Sequence, residues 1–159
     1  MNFNGIIETK IKFPSVNGVS PGIFLSGLFN NNIWPKCGEI DALIGVDNNQ
    51  ITSSFTWDVS KSYYKTLELN ITQFNEYSLI WDKNYIIIYA NDLDIYKIDT
   101  TPNDLIAFHN PFYIILNVLV GGYTIHKIND NSAFPLYMIV DYIKVYQYDL
   151  NNSISIFIK

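Results

Sequence analysis

Arginine is absent from the 159 residues, so every fixed positive side-chain charge comes from ten lysines. Against them stand 15 acidic residues, for a formal net charge of −5. A chain of that balance has no basic stripe with which to neutralise phosphates. Non-specific nucleic-acid binding and attraction to anionic membranes are excluded as partners' chemistry. The single cysteine, Cys37, cannot close an intramolecular disulfide, which fits a reducing compartment. Histidine occurs only at His109 and His126, and with Cys37 these make no zinc-ligand spacing. No segment approaches the ~20 consecutive apolar residues of a membrane-spanning helix. Gly121-Gly122 lacks the third glycine and the following helix of a phosphate-binding loop. The opening residues Met1-Asn2-Phe3-Asn4-Gly5 lack a basic region followed by an apolar run, so a cytoplasmic or non-classically released protein is expected.

What is present is apolar and aromatic: 48% hydrophobic residues and 16% aromatics, in a length suited to one domain with a real core. Periodicity is that of strands. In Ile7-Glu8-Thr9-Lys10-Ile11-Lys12-Phe13 the odd positions form one face and the charged residues the other. Ile51 to Trp57 alternates in the same way and should return antiparallel to the strand before it. Tyr85 to Ala90 lies between turns at Asp82-Lys83-Asn84 and Asn91-Asp92. Thr101-Pro102-Asn103-Asp104 predicts a short helix or turn with Thr101 as N-cap. Pro111 to Gly122 is a nearly continuous apolar run, which predicts a strand covered on both faces. Many short strands and scarce helix signals indicate an all-β antiparallel sandwich.

The chemistry concentrates in Trp34-Pro35-Lys36-Cys37-Gly38-Glu39-Ile40-Asp41-Ala42-Leu43-Ile44. On a strand, Glu39 and Asp41 point to one face while Ile40 points to the other. Acids are seldom buried without partners, so two on one face suggest a wet concave surface.

Trp34-Pro35-x-x-Gly38-Glu39-Ile40-Asp41 resembles the catalytic strand of glycoside hydrolase family 16, the laminarinases, lichenases and their relatives. Other segments agree in the family's order: Gly5 to Pro14, Gly18 to Leu25, Phe74 to Trp81, Pro111 to Gly122 and Phe134 to Gln147. The resemblance implies a concanavalin A-like jelly roll and a retaining β-glucanase site. In it Glu39 stands at the nucleophile and Asp41 at the central Asp. The family's last Glu, the acid/base, falls on Ile44 in E-x-D-x-x-E spacing and on Leu43 in E-x-D-x-E spacing. Both are aliphatic. A retaining glycosidase needs two carboxyl groups about 5–5.5 Å apart, one attacking and one protonating the leaving oxygen.

The same resemblance implies sugar contacts from Phe24, Trp34, Trp57, Asn117 and Tyr123. It places Thr56 where many relatives carry a cleft histidine, and makes Asp141 a candidate ligand of a structural calcium, the only cofactor it suggests. It further implies that residues 1–149 are a family 16-like sandwich lacking the family's amino-terminal strands. Residues 150–159 are then an extra strand-like tail that patches a vacated sheet edge or pairs with a second subunit. Three functions follow as expectations: a non-hydrolytic module binding β-glucan-like polysaccharide, a residual endo-β-glucanase or transglycosylase recruiting a carboxylate such as Asp47, or an assembly protein forming homo-oligomers through its sheet edges.

Overall fold

The computed structural model describes residues 5–28, 33–46, 50–121, 134–148 and 154–157. Its strands are β1 (Gly5–Lys12), β2 (Val19–Gly27), β3 (Glu39–Val46), β4 (Gln50–Asp58), β5 (Lys61–Glu68), β6 (Asn75–Trp81), β7 (Tyr85–Ala90), β8 (Leu93–Asp99), β9 (Phe112–Val120), β10 (Ile139–Tyr148) and β11 (Ile154–Phe157). They form two antiparallel sheets, ordered β11-β10-β1-β6-β7-β8 and β5-β4-β3-β2-β9. This is the all-β antiparallel sandwich, of jelly-roll type, that the alternation and the resemblance predict.

The core lies between the sheets and is built by period-two alternation. β1 contributes Ile7 and Ile11, with Phe13 just beyond its end, and turns Glu8, Lys10 and Lys12 outward. β4 sends Ile51, Ser53, Phe55 and Trp57 inward and Thr52, Ser54 and Thr56 outward. Facing them are Tyr77, Leu79 and Trp81 of β6 with Ile86 and Ile88 of β7. Each fully buried side chain of this size contributes roughly 1.5–3 kcal/mol by leaving water.

The turns follow local chemistry. Asp82 accepts from the backbone N–H groups of Asn84 and Tyr85, closing the β6–β7 hairpin. Asn91 and Asp92 adopt φ of 47° and 64°, the left-handed pair that a tight hairpin requires and that these two side chains tolerate.

Two expectations are corrected. Thr101 does not cap the helix: Asp99 accepts from both its backbone N–H and its hydroxyl. The helix is a 3-10 segment, Asn103–His109, that begins one residue later without a side-chain cap. The apolar run of β9 is not covered on both faces either. Among the described residues β9 ends its sheet, with Tyr113, Leu119 and Val120 exposed. A run without alternation reports hydrophobicity, not how many neighbours the strand finds.

β11 pairs antiparallel with β10, Val145 opposite Phe157 through Tyr148 opposite Ile154, and covers that edge of the six-stranded sheet. Unpaired edge groups invite association with other chains. Deleting residues 150–159 is therefore expected to cost roughly 1–2 kcal/mol, a fall of about 3–6 °C in Tm, and to increase self-association. Calorimetry and light scattering check both; an unchanged Tm and unchanged mass in solution would count against an edge-covering role.

Candidate active site

The turn into β3 fixes the first acid. Gly38 has φ +88°, where an L side chain is strained, and a Cβ there would lie 2.9 Å from the Phe112 ring. Its N–H bonds the Pro35 carbonyl and its carbonyl receives the Gly27 N–H, each at 2.9 Å. Glycine thus docks the turn on the end of β2, and the next residue, Glu39, opens the strand on its outward face. Trp34 folds over it and donates its indole N–H to the Glu39 carboxylate at 3.0 Å. With Trp34 still 55% exposed, its ring forms a rim above the acid.

Asp41 follows two residues on, opposite Phe24 of β2 and Ser54 of β4. The Ser54 hydroxyl donates to the Asp41 carboxylate. Partial burial pushes the Glu39 carboxyl up from 4.5 to about 7; the neighbouring Asp41 adds to the rise and the Trp34 hydrogen bond opposes it. Asp41 is raised as well by burial, with Ser54 pulling it down. Burial outweighs the donors at both.

Beyond Asp41 the strand breaks register. Asp41 pairs with Ser54, but Ile44 pairs with Thr52, so three steps on β3 match two on β4. The same bulge appears against β2, where Phe24 faces Asp41 and Ile23 faces Leu43. Consecutive residues Ala42 and Leu43 therefore both face the core, at 7% and 1% exposure, after Ile40 at 0%. Ser53, fully buried, donates its hydroxyl to the Ala42 carbonyl at 2.7 Å, satisfying an acceptor at the register break. Ile44 returns to the face of Glu39 and Asp41. Of the two spacings left open by the sequence, the bulge selects the longer, and the residue beyond Asp41 on that face is Ile44.

Strand register places the remaining candidates. Phe24 shares the Asp41 row. Thr56 stands opposite Glu39. Asn117 pairs with Gly22, which pairs with Ile44, so it lies in the Ile44 row. Trp57 does not join them. It is on the core-facing side, 8% exposed, with its indole N–H donated to Asp104 at 3.3 Å and its ring packed on Tyr63 and Phe108. Its sequence parity with Ile51 and Phe55 already pointed inward. Asp141 belongs to the other sheet, 3.6 Å from the Lys10 ammonium that also approaches Glu76 at 3.9 Å. Among the described residues no three His, Cys, Asp or Glu side chains converge as a metal site, so Asp141 gains no ligand set there. Tyr123, His126 and Asp47 lie outside the described residues. Ser54, which sequence reasoning passed over, is recognisable only as an outward residue of the Thr52-Ser54-Thr56 parity.

A carboxyl whose folded value exceeds its unfolded one favours folding while protonated, and that advantage is lost as pH rises through the folded value. Glu39→Gln keeps an acceptor for Trp34 and removes the ionisation. Its stability should equal wild type below about pH 4.5 and exceed it increasingly up to about pH 7, by about 1–2 kcal/mol after solvent screening. Urea unfolding of both proteins across this range tests it, and a gap that does not vary with pH would sink it.

Comparison with known proteins agrees with the geometry. Residues 2–144 match the profile of glycosyl hydrolases family 16. The chain is 29% identical over 152 residues to the clotting factor G alpha subunit of Tachypleus tridentatus, covering 90% of this chain and 23% of that one. It is 30% identical over 158 residues to the keratan-sulfate endo-1,4-beta-galactosidase of Sphingobacterium multivorum, covering 92% and 37%. The crystal structure of the laminarinase catalytic domain from Thermotoga maritima superposes with a TM-score of 0.81 at 27% identity, over 95% of this chain and 66% of that one. The chain thus spans less than two thirds of the length of these relatives. With the profile covering nearly its whole length, on a two-sheet sandwich that carries the Glu-x-Asp strand outward, the chain belongs to glycoside hydrolase family 16, a family of O-glycosyl hydrolases.

Proposed function

We propose that this family 16 domain binds β-glucan-like polysaccharide on the outer face of the five-stranded sheet and does not hydrolyse it. The observation that carries the reading is the bulge that sets Ile44, rather than an acid, beyond Glu39 and Asp41 on that face. Double displacement needs one carboxylate to attack and a second to protonate the leaving oxygen and later activate water. General acid–base assistance typically supplies ~10²–10⁴ in rate. Asp41 is an immediate neighbour of Glu39 on the same strand face and is poorly placed to protonate from the far side of a sugar. Glu39 itself, raised to about 7, is substantially protonated near neutrality, which suits an acid better than a nucleophile. Phe24, Trp34 and Asn117 remain as apolar and amide contacts for a sugar chain. That relatives named for keratan sulfate and laminarin degradation act on polysaccharides supports the ligand class.

Affinity electrophoresis in laminarin and lichenan, with a reducing-sugar assay on the same polymers, tests the reading. Wild type should be retarded by polymer and release no sugar. Ile44→Glu should gain hydrolysis on the same ligands. Wild-type hydrolysis abolished by Glu39→Gln would instead establish the residual-glucanase alternative, and absence of retardation by any polysaccharide would overturn binding.

Assembly is a second reading, favoured by β9. Its nine residues, Phe112–Val120, carry no charge and end the sheet as an edge. The edge strands β5 and β8 carry Lys61, Lys65, Asp94 and Lys97, charges that discourage edge pairing. In this view two copies of the sandwich of residues 1–149 pair through β9, while the short β11, also uncharged, extends the other sheet past β10. Light scattering should then give a dimer that Leu119→Lys converts to monomer. A monomer at every concentration would count against it.

A further inference from the structure

The outer face of the five-stranded sheet is chemically divided along β3. On one side β4 and β5 present Thr52, Ser54 and Thr56 beside Ser62, Tyr64 and Thr66. Two contacts fix this orientation: the Thr52 and Thr66 hydroxyls are 3.0 Å apart, and the Ser54 hydroxyl reaches Asp41. On the other side β2 and β9 present Phe24, Ile115 and Leu119 interspersed with Ser20, Ser26, Tyr113 and Asn117, a mixed strip. On β4 and β5 the outward positions from 52 to 56 and from 62 to 66 are thus all hydroxyl-bearing, six on two adjacent strands, with the two carboxylates beside them.

Tyr64 stands directly opposite Ser54, which stands opposite Asp41. Its ring therefore rises two interstrand spacings, ~10 Å, from the Asp41 strand, at 73% exposure. Its neighbour Tyr63 turns the other way and packs on Trp57 at 5.1 Å, so only Tyr64 offers a free ring to the outer face of β5. The lysines of this edge turn away. Lys65 pairs with core-facing Ser53, and Lys61 is held by Asp104 at 2.7 Å. The outer-facing strand residues around the patch carry acid only: Glu39, Asp41 and, by its parity with Thr66, Glu68.

We propose that the β4–β5 half is a subsite for an uncharged polysaccharide, with Tyr64 as its stacking platform and the serine–threonine rows as its hydrogen-bonding rail. This rests on the carbohydrate-binding reading above and assigns where the chain lies and which glycans it excludes. An aromatic ring offers an apolar face to the C–H side of a sugar while its hydroxyl stays wet. Each Ser or Thr hydroxyl both donates and accepts, as does each sugar hydroxyl. Among the described outward strand residues of this face a sulfated or carboxylated glycan would meet acids and no lysine, a juxtaposition that selects against it.

The experiment is titration calorimetry with laminarin, lichenan and keratan sulfate at low salt, on wild type, Tyr64→Ala, Tyr64→Phe and Phe24→Ala. Expected are binding of the two neutral polymers, about tenfold weaker for Tyr64→Ala and nearly unchanged for Tyr64→Phe, and none of keratan sulfate. Circular dichroism confirms that each variant is folded; Tyr64 is exposed enough that its replacement leaves the core intact. Neutral binding that survives Tyr64→Ala but is lost in Phe24→Ala would overturn the subsite and leave the carbohydrate-binding reading standing. Keratan sulfate bound as tightly as laminarin would overturn the charge selection. Failure of wild type to bind any of the three would overturn both readings.

Discussion

The arrangement of the site depends on one extra residue in one strand. Strict alternation along β3 would turn Leu43 outward after Glu39 and Asp41 and bury Ile44. The bulge instead spends Ala42 and Leu43 on the core in succession and hands the next outward place to Ile44. Two neighbours hold it where it is. The buried Ser53 hydroxyl satisfies the Ala42 carbonyl. On the other flank Gly22 leaves room, since a Cβ there would stand 3.1 Å from the Leu43 carbonyl oxygen. Leaving a buried carbonyl or hydroxyl unpaired costs about 1–3 kcal/mol, so Ser53 both fixes the bulge and depends on it.

The electrostatics follow from that frame. Glu39 and Asp41 share a face because their spacing matches the pleat, and the sheet places hydroxyl and apolar groups, not cations, around them. Trp34 and Ser54 each donate one hydrogen bond, which is too little to offset burial at either acid, and at Glu39 the neighbouring Asp41 adds to the rise. Gly38 and Trp34 make the first of these contacts possible. The motif that begins at Trp34 is thus a turn, a lid and an acid in one continuous physical unit, which is why its residues read as a unit in the sequence.

Much of the fold was legible because alternation is a strong signal where one face is buried. β1 and β4 stand where their alternation places them, and the β6–β7 hairpin where the family resemblance does. What the sequence concealed is equally specific. Leu43 and Ile44 are both aliphatic, so nothing in composition betrays which one the bulge buries. β9 is apolar throughout, and without alternation its edge position is invisible. Trp57 was misassigned by chemistry over geometry: a tryptophan near acids suggests a sugar platform, yet its parity with Ile51 and Phe55 commits it to the core. The Thr101 cap failed because Asp99, two residues upstream, competes for the same hydroxyl.

The two acids are where local consistency breaks. The outward positions paired beside them, Phe24, Ser26, Ser54 and Thr56, are neutral, and a sheet built only for stability would gain by neutralising Glu39, whose ionisation the fold resists. Such violations gather at surfaces that do something other than pack. On the reading proposed above, the surviving acids no longer complete a catalytic pair. They are hydrogen-bond acceptors for sugar hydroxyls at the centre of a face lined by hydroxyls on β4 and β5 and by mixed side chains on β2 and β9. That role needs no second acid, so an aliphatic Ile44 is compatible with it, whereas double displacement would need a carboxylate that Ile44 does not supply.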